Sequence, residues 1–137
     1  MSEKDQNNEF EKICKDVFAL SSAIRSAIVI DKMGRVVAGG MREGVRSMEE
    51  KSDSHKLHVQ FALRSAMRED FDEQFGKTIY SFSERERIKL ASFPLDNQQH
   101  ILRVSIEKNE TDHNEIIGNI LKTICSNKKN EMKREIR

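Results

Sequence analysis

The sequence contains few of the residues that mark metal centres, disulfide scaffolds or membrane spans. Its 137 residues include two cysteines, one proline and no tryptophan, and no apolar run approaches the roughly 20 residues that cross a bilayer. Cys14 and Cys125 are too far apart for a zinc knuckle, and both fall within apolar patterns, so we expect buried free thiols. The polar stretch 1–8 lacks a signal-peptide core. We therefore expect a cytoplasmic protein with no membrane segment, cofactor or metal.

The net charge is also small, and it is unevenly distributed. The chain carries +1 overall, and its 36% hydrophobic and 34% charged residues fit one thin, layered domain. This balance argues against binding of the whole domain to nucleic acid or anionic lipid. Residues 128–137 hold five basic side chains against two acids. We expect a single domain over residues 1–127, followed by a frayed, solvated basic tail at 128–137.

Amphipathic patterns predict a helix at each end of the domain. In the first, Asn8 and Glu11 have capping-box spacing, so we place its start near residue 8 and its end near residue 21 or 22. The last helix starts at Asp112, with Glu115 completing the same spacing. Each helix should bury one side, because its apolar residues recur three and four apart. In the first helix the apolar residues are Phe10, Ile13, Cys14, Val17 and Phe18. In the last helix they are Ile116, Ile117, Ile120, Leu121, Ile124 and Cys125.

Alternating and β-branched segments predict five strands. Residues 24–31 are apolar on both faces, which favours a central position, and Gly34 permits the tight turn that leads into a returning strand at 35–38. The next stretch, 39–44, has three glycines but lacks the Lys-Ser/Thr of a phosphate loop, so we interpret it as the end of an edge strand. Further strands are predicted at 77–83, at 88–93 before Pro94, and at 100–107.

A long helix is predicted between Met48 and Phe75, where proline and glycine are absent. We expect its core-facing stripe to be the row spaced four apart: Val59, Leu63, Met67, Phe71 and Phe75. Large apolar side chains beside that row predict a second packing surface, such as another subunit. The predicted dimer or partner surface consists of Leu57, Phe61, Arg64, Arg68, Tyr80 and Phe82.

The order α-β-β-α-β-β-β-α and the hairpin at 28–38 resemble the Roadblock/LC7 domains of the profilin-like class, over residues 8–126. The segments 42–44 and 83–89 are also similar to a small archaeal family of this architecture. The resemblance implies an α/β (α+β) fold with a five-stranded antiparallel sheet of order 2-1-5-4-3. One long helix would cover one face and the two terminal helices the other. It further implies homodimers that join long helices and edge strands, and a protein partner such as a small GTPase.

The remaining polar candidates give no catalytic signature. Arg25, Arg42 and Arg46 are candidate anion contacts, because guanidinium groups suit bidentate binding of acids. His55 and His58 have a spacing that can place both on one helical face, but a third metal ligand at helical spacing is lacking, so we predict no metal site.

Three functional hypotheses follow. The first is a non-enzymatic, homodimeric interaction or scaffold module. The first alternative is a small-ligand sensor, in which Arg25 or Arg103 contacts an anion. The second is a protein that associates with nucleic acid through its basic tail, since the balanced charge of the domain makes the domain itself unsuited to nucleic-acid binding.

Overall fold

The computed structural model describes residues 2–136, and their side chains as far as residue 130. Four helices and five strands follow one another in the described chain. They are α1 (Glu3–Phe18), β1 (Ile24–Asp31), β2 (Val36–Met41), α2 (Lys51–Glu69), α3 (Asp72–Phe75), β3 (Ser81–Glu84), β4 (Ile88–Leu95), β5 (His100–Glu107) and α4 (His113–Ile136).

The five strands form one antiparallel sheet in the order β2-β1-β5-β4-β3. The predicted order is therefore confirmed. β1 lies inside the sheet between β2 and β5, as its two apolar faces indicate, and β2 is an edge strand. The opposite edge is β3, which has four residues. This places the glycine-bearing strand and the short strand at the two ends of the sheet.

The main core lies between the sheet and the terminal helices α1 and α4. Val17 of α1 and Ile120 of α4 are fully buried against strand residues such as Val29, Phe93 and Leu102. The apolar stripe of α1 is buried as predicted, with Phe18 at its margin. Since this face of the sheet holds most of the buried apolar residues, it supplies most of the hydrophobic stabilisation.

The other face of the sheet, covered by α2, has a much smaller core. Ile30, Ala62 and Ile101 are buried there, with Ile28 and Phe61 packed beside them. The same face also buries polar side chains of α2, β1, β4 and β5: His58, Ser26, Ser92, Arg103 and Ser105. α2 therefore rests on a sheet surface that is partly polar.

Helix α1 differs from its predicted bounds at both ends. It starts at Glu3, because Ser2 takes an extended backbone and its hydroxyl accepts a hydrogen bond from the Asp5 amide. It ends at Phe18 rather than at residue 21 or 22. Arg42 donates to the carbonyl oxygens of Phe18 at 2.8 Å and Ser21 at 2.7 Å, which satisfies carbonyls that a longer helix would use internally.

β2 extends through Gly39 and Gly40 to Met41, three residues beyond its predicted end. Gly39 has φ +81°, and a Cβ at this position would clash with the Ala27 carbonyl oxygen and the Cys14 sulfur. The stretch is therefore part of the edge strand, in agreement with the interpretation that it is not a phosphate loop.

The predicted long helix is divided in two. α2 ends at Glu69, the chain turns through Asp70 and Phe71, and α3 ends at Phe75, directly before Gly76, which has φ +81°. β3 starts four residues later than predicted, at Ser81. Pro94 lies inside β4 rather than after it, because β3 pairs with β4 only as far as Ser92 and leaves the proline nitrogen without a required partner.

The last helix departs from two expectations. α4 continues as helix to Ile136, where the sequence predicted a frayed tail, and the side chains of that tail beyond residue 130 lie outside the described part. Cys125 was expected to be buried, but it is exposed, because α4 turns it away from the main core. Strand β5 has its predicted bounds.

Candidate interaction surface

Helix α2 turns small and polar residues towards the sheet. Its buried residues are His58 and Ala62, each 6% exposed, and Phe61 packs beside them. The prediction that the row from Val59 to Phe75 faces the core is wrong. Residues four apart advance by about 40° around a helix at each step, so such a row winds off the sheet-facing side.

The row instead forms a large exposed apolar surface. Leu63 is 59% exposed, Met67 68%, Phe71 56% and Phe75 84%. We call these four residues the α2 stripe. Ile79, in the segment before β3, is also exposed, at 70%. Contiguous apolar surface of this kind marks sites of protein or membrane interaction.

The edge strand β3 lies next in the chain after this surface. β3 pairs with β4 on one side only, so the backbone of Ser81–Glu84 presents hydrogen-bonding groups at the free edge of the sheet. An unpaired strand edge is a template for pairing with another chain. The exposed stripe and the open edge therefore occur together at one end of the sheet.

A groove of about 460 Å³ separates α2 from β3 and β4. We call it the α2–β3 groove. Four of the predicted partner-surface residues line its helix side, and the strand side includes polar residues of β3 and the following turn. The helix side has Leu57, Phe61, Arg64 and Arg68, and the strand side includes Ser81, Ser83, Arg85, Leu90 and Ser92.

The rings of the other two predicted surface residues, Tyr80 and Phe82, contact residues on the opposite face of the sheet. Phe82 borders the groove, but its ring stacks on His113 of α4 at 4.7 Å, and Tyr80 stacks on Phe93 at 6.2 Å. Both aromatic rings therefore lie on the side of the terminal helices. The predicted set is divided by the sheet, because neighbouring strand residues point to opposite faces.

Phe61 forms the base of a cationic cluster. The guanidinium carbon of Arg103 lies 3.9 Å from the centre of its ring, and that of Arg64 lies 5.5 Å away. Arg103 is 7% exposed and its buried Nε has no hydrogen-bond partner among the described residues. Positive charge is thus concentrated under and along the helix side of the α2–β3 groove.

His58 is the polar partner of Arg103. Its Nδ1 lies 2.6 Å from Arg103 Nη1. An arginine has only donors, so His58 Nδ1 accepts and the neutral ring carries its proton on Nε2. Burial, reinforced by the charge of Arg103, lowers the pKa of His58 to about 4. Burial also lowers the pKa of Arg103 to about 10, which leaves the guanidinium charged at pH 7.

Two of the three arginines predicted to contact an anion, Arg25 and Arg42, have structural partners, and the third, Arg46, contributes its backbone carbonyl to Arg25. Arg25 forms an ion pair with Glu107 at 3.0 Å and donates to the Arg46 carbonyl at 2.7 Å. Arg42 donates to the carbonyl oxygens that follow α1 and to Ile24 at 2.7 Å. An anion site at these residues stays a prediction, and these contacts give it no support.

The candidate metal and thiol residues lie apart. His55 is exposed while His58 is buried, and no three His, Cys, Asp or Glu side chains within residues 2–130 lie where they could hold a metal ion. Cys14 is buried beneath β2, and burial raises the pKa of its thiol to about 12, so it is protonated and unreactive at neutral pH. Among the helices of the described residues, none has the length and apolar character to span a membrane.

Comparison with protein-family models gives one match. The model described as "Family of unknown function (DUF6659)" covers residues 1–130. The chain belongs to this family. A search of curated proteins gives no match.

Solved structures similar to this DUF6659 protein share its fold at low sequence identity. The gliding protein MglB of Thermus thermophilus has a TM-score of 0.66 and 12% identity, over 88% of this chain and 89% of that chain. MglB of Myxococcus xanthus has a TM-score of 0.63 and 13% identity, over 86% of each chain. A Roadblock/LC7 domain from Streptomyces avermitilis has a TM-score of 0.61 and 8% identity, over 93% of this chain and 98% of that chain. The protein therefore has the Roadblock/LC7 fold, and the predicted resemblance is confirmed at the level of the fold.

The sequence pattern missed the exposed stripe although a signal was present. The row from Leu63 to Phe75 keeps a strict spacing of four, whereas the stripes of α1 and α4 mix spacings of three and four. Only the mixed spacing stays on one side of a straight helix over several turns. The pairing of His58 with Arg103 had no sequence signal, because it joins residues 45 apart.

Proposed function

We propose that the protein is a non-enzymatic, homodimeric interaction module whose two protomers meet along α2 and the β3 edge. The observation that carries this proposal is the α2 stripe, whose four large side chains are at least 56% exposed beside an open strand edge. Burying a side chain of this size contributes about 1.5 to 3 kcal/mol, which favours association.

The symmetry of such a dimer suits this surface. A two-fold interface uses the same patch on both protomers, and an apolar patch can pack against its own copy. The free edge of β3 adds backbone hydrogen bonds if the two sheets continue across the interface. The resemblance to Roadblock/LC7 domains supports the same arrangement, since those domains join long helices and edge strands.

The dimer would serve as a platform for a further protein. The partner class that the Roadblock/LC7 resemblance implies is a small GTPase. Pull-down with the purified, tagged dimer and GTPases from the same organism, loaded with GDP or GTP, would test that finer proposal. Retention of none of them would remove the GTPase and leave the dimer unaffected.

The dimer itself is tested by light scattering on a surface variant. In L63E/M67E, two exposed apolar side chains of the α2 stripe become acidic, which should convert a wild-type dimer to a folded monomer. The matched control is V36E, because Val36 is a 52% exposed apolar residue of the far edge strand β2. The proposal fails if wild type is monomeric at micromolar concentration, or if L63E/M67E dimerises as well as V36E.

A small-anion sensor remains as the second candidate. The α2–β3 groove favours it, because Arg64, Arg68 and Arg85 line the groove and Glu49 is its one acidic lining residue among the described positions. Phosphate and dicarboxylates should then raise the melting temperature of wild type but not of R85Q. Equal behaviour of the two proteins would argue against this function. Nucleic-acid binding through the tail stays a prediction, because the side chains of the tail beyond residue 130 lie outside the described part.

A further inference from the structure

A second groove of about 460 Å³ lies on the face of the sheet that the terminal helices cover. Its walls are α1, α4, the turn between β4 and β5, and the segment between α3 and β3. We call it the α1–α4 groove. It has no lining residue in common with the α2–β3 groove or the α2 stripe. A cavity of this volume is large enough for a small organic molecule.

The base of the α1–α4 groove is apolar. Phe10, Ile13 and Leu95 are buried there and belong to the main core, and Ile124 of α4 lies half-buried beside them. On α1 the lining extends from Gln6 to Ile13, which corresponds to about 10 Å along the helix axis. The groove therefore offers an extended aliphatic chain an apolar surface along the two helices.

The charged side chains of the lining leave a balance of one positive charge. Three lysines stand against two acids: Lys12, Lys77 and Lys128 against Glu9 and Asp96. A few polar groups that converge on an apolar cavity orient a ligand, and their charge selects its sign. This lining complements a molecule with one negative charge.

Two of the three lysines have no carboxylate partner within residues 2–130. Lys77 Nζ donates to the side-chain amide oxygen of Asn97 at 2.6 Å, which is a neutral acceptor. Lys128 forms neither an ion pair nor a side-chain hydrogen bond in the described part of the chain. Lys12, by contrast, is paired with Asp16 at 2.9 Å. An ammonium group attracts a carboxylate more strongly than a neutral amide oxygen, so Lys77 and Lys128 can each accept an anionic ligand.

The turn between β4 and β5 forms the polar wall in an unusual backbone conformation. Asp96, Asn97 and Gln98 have φ of +50°, +51° and +70°, a region that few residues other than glycine adopt. The turn is joined to two other walls of the groove, because Asp96 accepts from Gln6 of α1 at 2.8 Å and Asn97 accepts from Lys77. Strained backbone of this kind clusters at sites that bind ligands.

We propose that the α1–α4 groove binds a medium-chain fatty acid, with the acyl chain over the apolar base and the carboxylate at the rim that bears Lys77 and Lys128. The ligand is amphipathic because the groove is apolar at its base and cationic at its rim. A small polar anion such as phosphate would leave the apolar base uncovered. An uncharged hydrocarbon would leave the two lysines without a counter-ion. The site is independent of the proposed dimer, since it lies on the other face of the sheet.

Isothermal titration calorimetry at pH 7.5, with decanoate below its micelle concentration, tests the class of ligand. We expect one decanoate to bind per chain. Octanoate should bind about fifteenfold more weakly, because each buried methylene changes the affinity by about fourfold. Decanol has the same chain length without the charge, and it should bind about tenfold more weakly than decanoate.

The double variant K77M/K128M tests the cationic rim, because methionine keeps an apolar stem and removes the charge. It should bind decanoate about tenfold more weakly than wild type does, and decanol equally well. K122M is the matched control, since Lys122 is an exposed lysine of α4 outside the groove lining. All three lysines are exposed, so we expect both variants to fold.

L63E/M67E separates the groove from the α2 stripe, which is the other apolar surface that could take up an acyl chain. This variant should bind decanoate as wild type does, whether or not it dimerises. The proposal is overturned if wild type does not bind decanoate, if decanoate and decanol bind equally, or if K77M/K128M and K122M have the same affinity for decanoate. Loss of decanoate binding in L63E/M67E would place the ligand on the α2 stripe and would also overturn it.

Discussion

Protonation of His58 should weaken the fold in mildly acidic solution. His58 is 6% exposed, and its Nδ1 accepts the hydrogen bond from Arg103 Nη1. Burial and the neighbouring cation lower its pKa from 6.5 to about 4, while Glu49 opposes that change and His55 adds to it. The unfolded chain therefore takes up a proton at this site at a higher pH than the folded chain does. The stability that the neutral His58 ring contributes is therefore complete above pH 6.5 and is lost as the pH falls towards 4.

The size of this effect follows from the two pKa values. The interval from 6.5 to about 4 corresponds to a loss of about 3 kcal/mol in the free energy of unfolding once the pH reaches 4. At pH 5 the unfolded imidazole is almost fully protonated and the folded one is mostly neutral, so the loss is about 2 kcal/mol. That is a large share of the stability of a domain of this size.

Urea denaturation at pH 7.5 and pH 5.0, at fixed protein concentration, measures this loss. H58Q is the comparison variant, because its amide oxygen can accept from Arg103 and does not titrate. We expect wild type to lose about 2 kcal/mol more than H58Q between the two pH values. NMR titration of the His58 ring should give a midpoint near 4. A midpoint near 6.5, or equal losses in the two proteins, would refute the proposed burial and pairing of His58.

Three further predictions concern the frame that holds the surface. G39A should destabilise the protein by about 2 kcal/mol more than G44A in urea denaturation. Both glycines have positive φ, but only at Gly39 would a Cβ meet other atoms. Equal losses in the free energy of unfolding for the two variants would exclude the clash at Gly39. R42M should cost about 2 to 3 kcal/mol, because it loses the hydrogen bonds that Arg42 donates to three carbonyl oxygens. R46M should cost less than about 0.5 kcal/mol, because its backbone carbonyl still accepts from Arg25. A thiol reagent at pH 7.5 should label one cysteine in the native protein and reach Cys14 only on unfolding; rapid labelling of both thiols would contradict the burial beneath β2.

Local patterns were sufficient for the elements that bury one continuous face. The stripe of α1, the two-sided apolar character of β1 and the bounds of β5 all follow from spacing and burial, and the structure has them. The sheet order followed from the order of elements and the resemblance that it carries. These features depend on residues that are neighbours in sequence or on connection rules, and a single sequence contains both kinds of information.

The surface on α2 could be predicted from the sequence only in part. The strict spacing of four indicates that the apolar row does not stay on one side of the helix, but only the fold shows that His58 and Ala62 occupy the sheet-facing side. The position of the Tyr80 and Phe82 rings on the face of the terminal helices depends on strand register, which changes the face of every side chain when it shifts by one residue. The predicted partner surface stays a prediction, with four of its residues on the helix side of the α2–β3 groove.

The mass of the protein in solution tests the central claim most directly. Size-exclusion chromatography with light scattering at micromolar concentration should give wild type and V36E a mass twice the 15.9 kDa of one chain. L63E/M67E should give the mass of one chain with an unchanged circular dichroism spectrum, because the replaced side chains are exposed in the protomer. A wild-type mass of one chain across that concentration range would contradict the account, as would an L63E/M67E variant that remains dimeric.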